Sequence, residues 1–314
     1  MTICLVTSDL KSEGFNLLGM APGARSAALA GAGSSLRANL EGICQNPAAL
    51  ADLDGLHLSG TFSPILDMVG WGASAAYGFE KGMTVAIAAQ GLVYGEILGD
   101  IRFNGDPGTK YSPQDLVFAA GVGIPFLPKS QAGFHLDWGL QGVYANQQIG
   151  SVSRSEILLG SGLIAGFQFS KIHELAFSAG AREIEIKNLE KVPGTLYLGV
   201  SYQMDGSHVG FKLLGDLERK SEDWGLLTGM EIQFLKSFAL RGGYHFGGGV
   251  KSFSIGGSAR LRYGNLSPCL EYAFIPFGDL GGEHKVQLSI QIQNKKKEEK
   301  KMETPKKAEP EEGD

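Results

Sequence analysis

The 314-residue sequence predicts an all-β protein: a fourteen-stranded antiparallel transmembrane β-barrel with a short N-terminal helical hatch in its lumen and a disordered C-terminal tail. Three observations predict it. From about residue 55 onward, apolar and polar residues alternate with period two through fourteen segments of mostly ten residues or slightly more, near the ~9–11 residues that carry a tilted strand across a bilayer. Tight turns alternate with longer connections, the arrangement expected of the two rims of a membrane barrel. Glycine is 46 of 314 residues, roughly twice the ordinary share, as suits strands that bend or let another backbone approach closely.

Composition removes several classes. The net charge of −5 and the absence of a basic patch interleaved with aromatics give no reason to expect nucleic acid. Three cysteines, Cys4, Cys44 and Cys269, with no CxxC pair, make neither a disulfide framework nor a zinc site. No run of 18 apolar residues is present, which excludes a transmembrane helix.

In chain order, the opening "MTICLVTS" has no basic stretch and a short apolar one, and reads as the tail end of a signal segment or as a disordered terminus, the first being favoured. "GARSAALA" at 23–30 reads as a small-faced helix ended by Gly31 and Gly33. Asn46-Pro47-Ala48 opens a second short helix. Proline pushes the residue before it out of the α region and suits the first helical position, and asparagine is a preferred N-cap. Two small-residue helices ahead of a barrel suit close packing inside it.

The strands are expected at about 56–62, 71–80, 83–95, 114–125, 132–146, 155–169, 173–186, 194–204, 208–217, 224–235, 238–247, 251–263, 268–276 and 283–293. "KVQLSIQI" at 285–292 shows the pattern plainly: Val286, Leu288, Ile290 and Ile292 on one face, Gln287, Ser289 and Gln291 on the other. Short turns are expected at 80–83, 170–174, 204–208, 235–238 and 263–268, and long loops at 94–113, 187–194 and 217–225. Trp71, Tyr77, Trp138, Tyr202, Trp224, Tyr244 and Tyr263 lie toward strand ends, where interfacial girdles form. The last stretch, 295–314, holds seven Lys against seven acidic residues, with two prolines and no apolar face, and should be disordered. The chain thus divides into 1–54 (N-terminal segment and hatch), 55–293 (barrel) and 294–314 (charged tail).

Motifs for chemistry are missing. Gly31 and Gly33 give GxG, but Leu36 stands where a third glycine belongs, no strand precedes, and GxxxxGK[ST] and GxSxG do not occur. The six histidines have no metal-ligand spacing. No enzymatic activity, cofactor or metal is therefore expected. The polar faces do carry charge, at His135, Asp137, Arg182, Lys212, Glu231, Arg241, Arg260, Arg262 and Glu271. Such groups belong in a wet lumen rather than against lipid. They would pair with one another or, for Arg241, Arg260, Arg262 and Lys212, contact a ligand's head group.

The stretch "GFNLLGMAPGARSAALAGAGSSL…NPAALA" (14–51) resembles the N-terminal signature of PorV/PorQ-type outer-membrane proteins, relatives of the FadL long-chain fatty-acid transporters. "EYAFIPFGDLGGEHKVQLSIQI" (271–292) is similar to the final hairpin of the PorV type. The chain departs from that pattern at Cys44-Gln45, where aromatics are usual, and in its charged tail. The resemblance implies a bacterial outer-membrane location, surrounding lipid as partner, and a hatch near Asn46, Pro47 and Ala48. It also implies passage or binding of a hydrophobic small molecule such as a fatty acid. The alternative it implies is a PorV-like barrel that holds or shuttles a secreted protein without transport.

Overall fold

The computed structural model describes residues 16–98, 110–127, 133–186, 194–247, 252–278 and 281–294. The charged tail, the start of the chain and parts of several connections lie outside these residues.

Fourteen strands close a barrel by antiparallel pairing of sequence neighbours. They are β1 (Gly55–Ile65), β2 (Met68–Gly78), β3 (Thr84–Val93), β6 (Gln114–Leu127), β7 (Phe134–Ile149), β8 (Val152–Gln168), β9 (His173–Glu185), β10 (Thr195–Asp205), β11 (Val209–Lys220), β12 (Asp223–Phe234), β13 (Phe238–Gly247), β14 (Ser252–Arg260), β15 (Leu266–Pro276) and β16 (Gly282–Ile292). Two further short strands, β4 (Ile97–Leu98) and β5 (Lys110–Tyr111), pair with each other in the connection between β3 and β6. Closure comes from β1 against β16, with Leu56 opposite Ile292 and Phe62 opposite Val286. Among the described residues it leaves the barrel sheet without an unpaired edge.

The alternation read from the sequence sets the two faces. Along β10, Leu196, Leu198 and Val200 are 54, 58 and 40% exposed, whereas Thr195, Tyr197 and Ser201 between them are buried. The same holds around the wall: Phe62, Ile87, Phe118, Phe177, Leu240 and Leu288 all point outward. A continuous outer band of this kind is favourable only against hydrocarbon.

The rim that holds Gly55 and Ile292 carries the turns Gly206–His208 and Leu235–Ser237. At the opposite rim one connection is shorter than expected, while 187–193 and 99–109 of the other expected long loops lie outside the described residues. The stretch 217–225 is not a long loop: β11 and β12 pair up to Lys220 opposite Asp223, and a two-residue turn joins them with Ser221 at φ 55°. Its charged residues look loop-like in sequence, but the paired strands of the wall continue through them. There Glu218 faces inward onto Arg182 and Arg219 faces outward over the Trp224 ring, 5.6 Å away.

Residues 16–54 lie inside the barrel. The helices there are shorter than the sequence suggests: α1 is Ala24–Ala28, α2 is Gly42–Gln45, and Pro47–Leu50 is a single 3₁₀ turn. Ala30 at φ 53° and Gly31 at φ 87° turn the chain after α1. The wall on both sides leaves room for one turn at a time, so tertiary contacts rather than helical propensity fix these pieces.

Candidate functional site

The lumen is divided by the N-terminal segment, and the wall is shaped to receive it. Gly123, Gly139, Gly162 and Gly180 stand directly opposite one another across β6, β7, β8 and β9, and Tyr197 of β10 continues the row. A side chain at these glycines has nowhere to go. A Cβ on Gly123 would lie 2.6 Å from Ala51 N and 2.7 Å from Leu50 Cβ, and one on Gly139 would overlap the backbone of Pro47 and Ala48. At Gly162 it would overlap Asn46 Oδ1 and the Tyr197 hydroxyl, which lies flat across Gly180. Gly229 and Gly243 similarly admit Leu29, and Gly256 admits Ala28 at 2.6 Å. The excess glycine seen in composition is therefore partly a track for the hatch backbone.

Asn46 is the central polar anchor and is fully buried. Its Oδ1 accepts from Ala48 N at 3.0 Å, capping the 3₁₀ turn. Its Nδ2 donates to Ser34 O at 2.7 Å and to Leu163 O of β8 at 3.4 Å. Pro47 and Ala48 are buried beside it, and Ala48, Ala49, Ile164 and Ala176 form a small apolar cluster.

Charged residues of the wall hold the rest. Arg25 of α1 grips Glu231 of β12 with Nε to Oε2 at 3.0 Å and Nη2 to Oε1 at 3.1 Å. Arg241 reaches the same carboxylate at 2.6 Å, and its Nη1 lies 3.2 Å from Glu271. Lys212 Nζ stands 3.7 Å from Glu231. Asp216 Oδ2 accepts from the backbone N–H groups of Gly33 and Ser34 at 2.7 and 2.8 Å. Arg37 clasps Asp137 at 2.6 and 3.0 Å, and Asp137 also stands 3.1 Å from His135. Gln287 and Glu41 accept from the N–H groups of Ala24 and Ser26 at the start of α1. Bidentate, buried pairing of this kind fixes orientation as well as charge.

These contacts place the residues named from sequence. Arg241 and Lys212 face the lumen and belong to the Glu231 cluster. Arg260 is half-buried at the end of β14. Arg262 is exposed on the turn that follows and donates to Lys236 O at 3.4 Å. None of the four lines the largest cavity.

That cavity, about 530 Å³, lies between the hatch and the wall. Its apolar side is made by Leu17, Leu18 and Met20 of the hatch with Ile65, Leu92, Val117 and Val143 of the strands. Its polar side includes Gln45, Gln141, Arg182, Glu183, Glu218 and His245. Of its lining, Ile65, Met68, Glu218, Ser252 and Phe277 lie at the rim opposite Gly55 and Ile292. Sequence reasoning missed the glycine row and Gln141. The glycines are visible in "GVGI", "WGL", "GSGL" and "SAGA", but only strand register brings them into line. Cys44, which also borders the cavity and receives a hydrogen bond from Gln90 Nε2 at 3.3 Å, has its thiol pushed by burial up to about 12.

No protein-family profile and no curated protein matches the chain. Solved structures do. A TodX deltaS2S3 mutant, a monoaromatic hydrocarbon channel, matches with TM-score 0.58 at 12% identity over 87% of this chain and 99% of its own. The Pseudomonas putida toluene transporter TodX matches with TM-score 0.55 at 12% identity over 85% and 96%. The Ralstonia pickettii toluene transporter TbuX matches with TM-score 0.52 at 13% identity over 90% and 100%. At these identities the likeness is one of fold, and along most of its length this chain shares the barrel fold of the toluene transporters.

Proposed function

We propose that this chain is a FadL-like channel of the bacterial outer membrane that takes a hydrophobic small molecule into the cavity above its hatch. The cavity carries the proposal: a mostly apolar space of ligand size, lying at the rim opposite Gly55 and Ile292 and bordered by the N-terminal segment. The shared fold with solved toluene transporters supports it. Residues Leu17 to Pro22 border the cavity, so this part of the hatch would touch the ligand first, and passage toward the other rim would require the bonds of Asn46 and its neighbours to yield.

Uptake of a fluorescent hydrophobic probe by cells carrying the protein tests this. Leu18→Trp, which fills the cavity from the hatch side, should cut uptake at least tenfold while the purified barrel keeps its heat-modifiable gel mobility. Unchanged uptake, together with stable co-purification of a secreted protein, would instead support the PorV-like shuttle.

A further inference from the structure

We infer that the cavity selects a ligand with a neutral hydroxyl head, as in a long-chain alcohol, over one with a carboxylate. This rests on the reading that the cavity holds a hydrophobic small molecule, and two observations carry it further.

The first is that Arg182, the guanidinium that lines the cavity, is committed. Arg182 Nη2 lies 2.9 Å from Glu218 and its Nε 3.6 Å from Glu183, with the guanidinium 5.7 Å above the Tyr197 ring. Glu183 is also 3.6 Å from Lys220, and Glu283 is 3.0 Å from Lys285. Arg182 and the two lysines beyond the lining thus meet Glu218, Glu183 and Glu283. An entering carboxylate would have to displace Glu218 from Arg182 and leave one negative charge without a partner in a confined site, which is costly.

The second is a buried amide oxygen without a partner. Gln141 of β7 is 2% exposed and lines the cavity, and its Oε1 has no hydrogen-bond partner. Val143, two residues along the same inward face, belongs to the apolar side. The neighbouring amides are occupied: Gln90 donates to Cys44, and Gln45 donates to Gly31 O at 3.0 Å. A buried amide end left bare costs free energy until a ligand meets it. A hydroxyl both donates and accepts, so it satisfies Gln141 whichever end of the amide faces the cavity, whereas a carboxylate can only accept.

Equilibrium binding of 1-dodecanol, dodecane and dodecanoate to the detergent-purified full chain at pH 7.5 tests the inference. 1-Dodecanol should bind at least tenfold more tightly than dodecanoate. Gln141→Leu should weaken 1-dodecanol about tenfold and leave dodecane unchanged. Glu218→Gln, which keeps Gln141 and removes the nearer of the two carboxylates beside Arg182, should strengthen dodecanoate several-fold. Dodecanoate binding as tightly as 1-dodecanol to the wild type would overturn the head-group inference, as would a folded Gln141→Leu that binds 1-dodecanol like the wild type. Dodecane binding without preference for the alcohol overturns the head-group inference alone, whereas failure of all three to bind overturns the channel reading with it.

Discussion

Arg25 and Glu231, 206 residues apart, form a two-pronged ion pair in which both side chains are largely withdrawn from solvent. Glu231 also holds Arg241 and stands near Lys212, so one carboxylate joins the hatch to three neighbouring strands. Removing one member of a buried pair leaves the others uncompensated, a loss of about 3–5 kcal/mol. Glu231→Gln should therefore lower barrel stability far more than Arg262→Gln on the exposed turn. Urea unfolding of both variants measures the difference.

Asn46→Ala should release the 3₁₀ turn without opening the barrel. It removes a cap, worth about 1 kcal/mol, and two further hydrogen bonds of about 1 kcal/mol each. Hydrogen exchange should show faster exchange at Ala48, Ala49 and Ala51, with the amides of β7 and β8 unchanged. Equal loss across the strands would mean that the hatch and wall unfold as one unit.

The glycine row predicts a contrast between positions of identical composition. Gly139→Ala places a methyl group in the Pro47–Ala48 backbone, where neither side has room to move. Overpacking of this kind costs about 1–3 kcal/mol or more. Gly60→Ala meets nothing within 4 Å and faces outward, so its effect should stay within about 0.5 kcal/mol. Thermal unfolding midpoints of the two variants separate these outcomes.

Cys44 predicts a pH dependence. Burial favours the neutral thiol, with the pKa raised from 9.0 to about 12. The unfolded chain loses this proton first as pH rises, so between about 9 and about 12 the folded state binds more protons and stability falls with increasing pH. In a Cys4→Ser, Cys269→Ser background, iodoacetamide should react at pH 8 markedly more slowly with the folded protein than with the denatured one. Cys44→Ala should flatten the alkaline part of the stability profile. A fast folded-state reaction would refute the buried thiol.

The strand pattern was legible because each strand meets two different solvents. Lipid outside and a polar lumen inside impose opposite demands on alternate residues, so "TLYLGVSYQ" declares both its conformation and its inward face. The Asn46-Pro47 cap was legible because it is a local backbone interaction. The end of β11 was not, because charged residues in sequence carry the same signal whether they meet water in a loop or an ion pair on an inner wall. Arg182 opposite Glu218 is decided by strand register alone.

By itself, then, the sequence determined the all-β class, the strand positions, the inward face of each and the cap at Asn46, all of which depend on residues within a few positions of one another. Only the tertiary structure decided that Gly123, Gly139, Gly162 and Gly180 form one row, that Arg25 closes on Glu231, and that Gln141 lines the cavity with its amide oxygen unpartnered. Those relationships join residues far apart in the chain, and closure of the barrel supplies the register that brings them together.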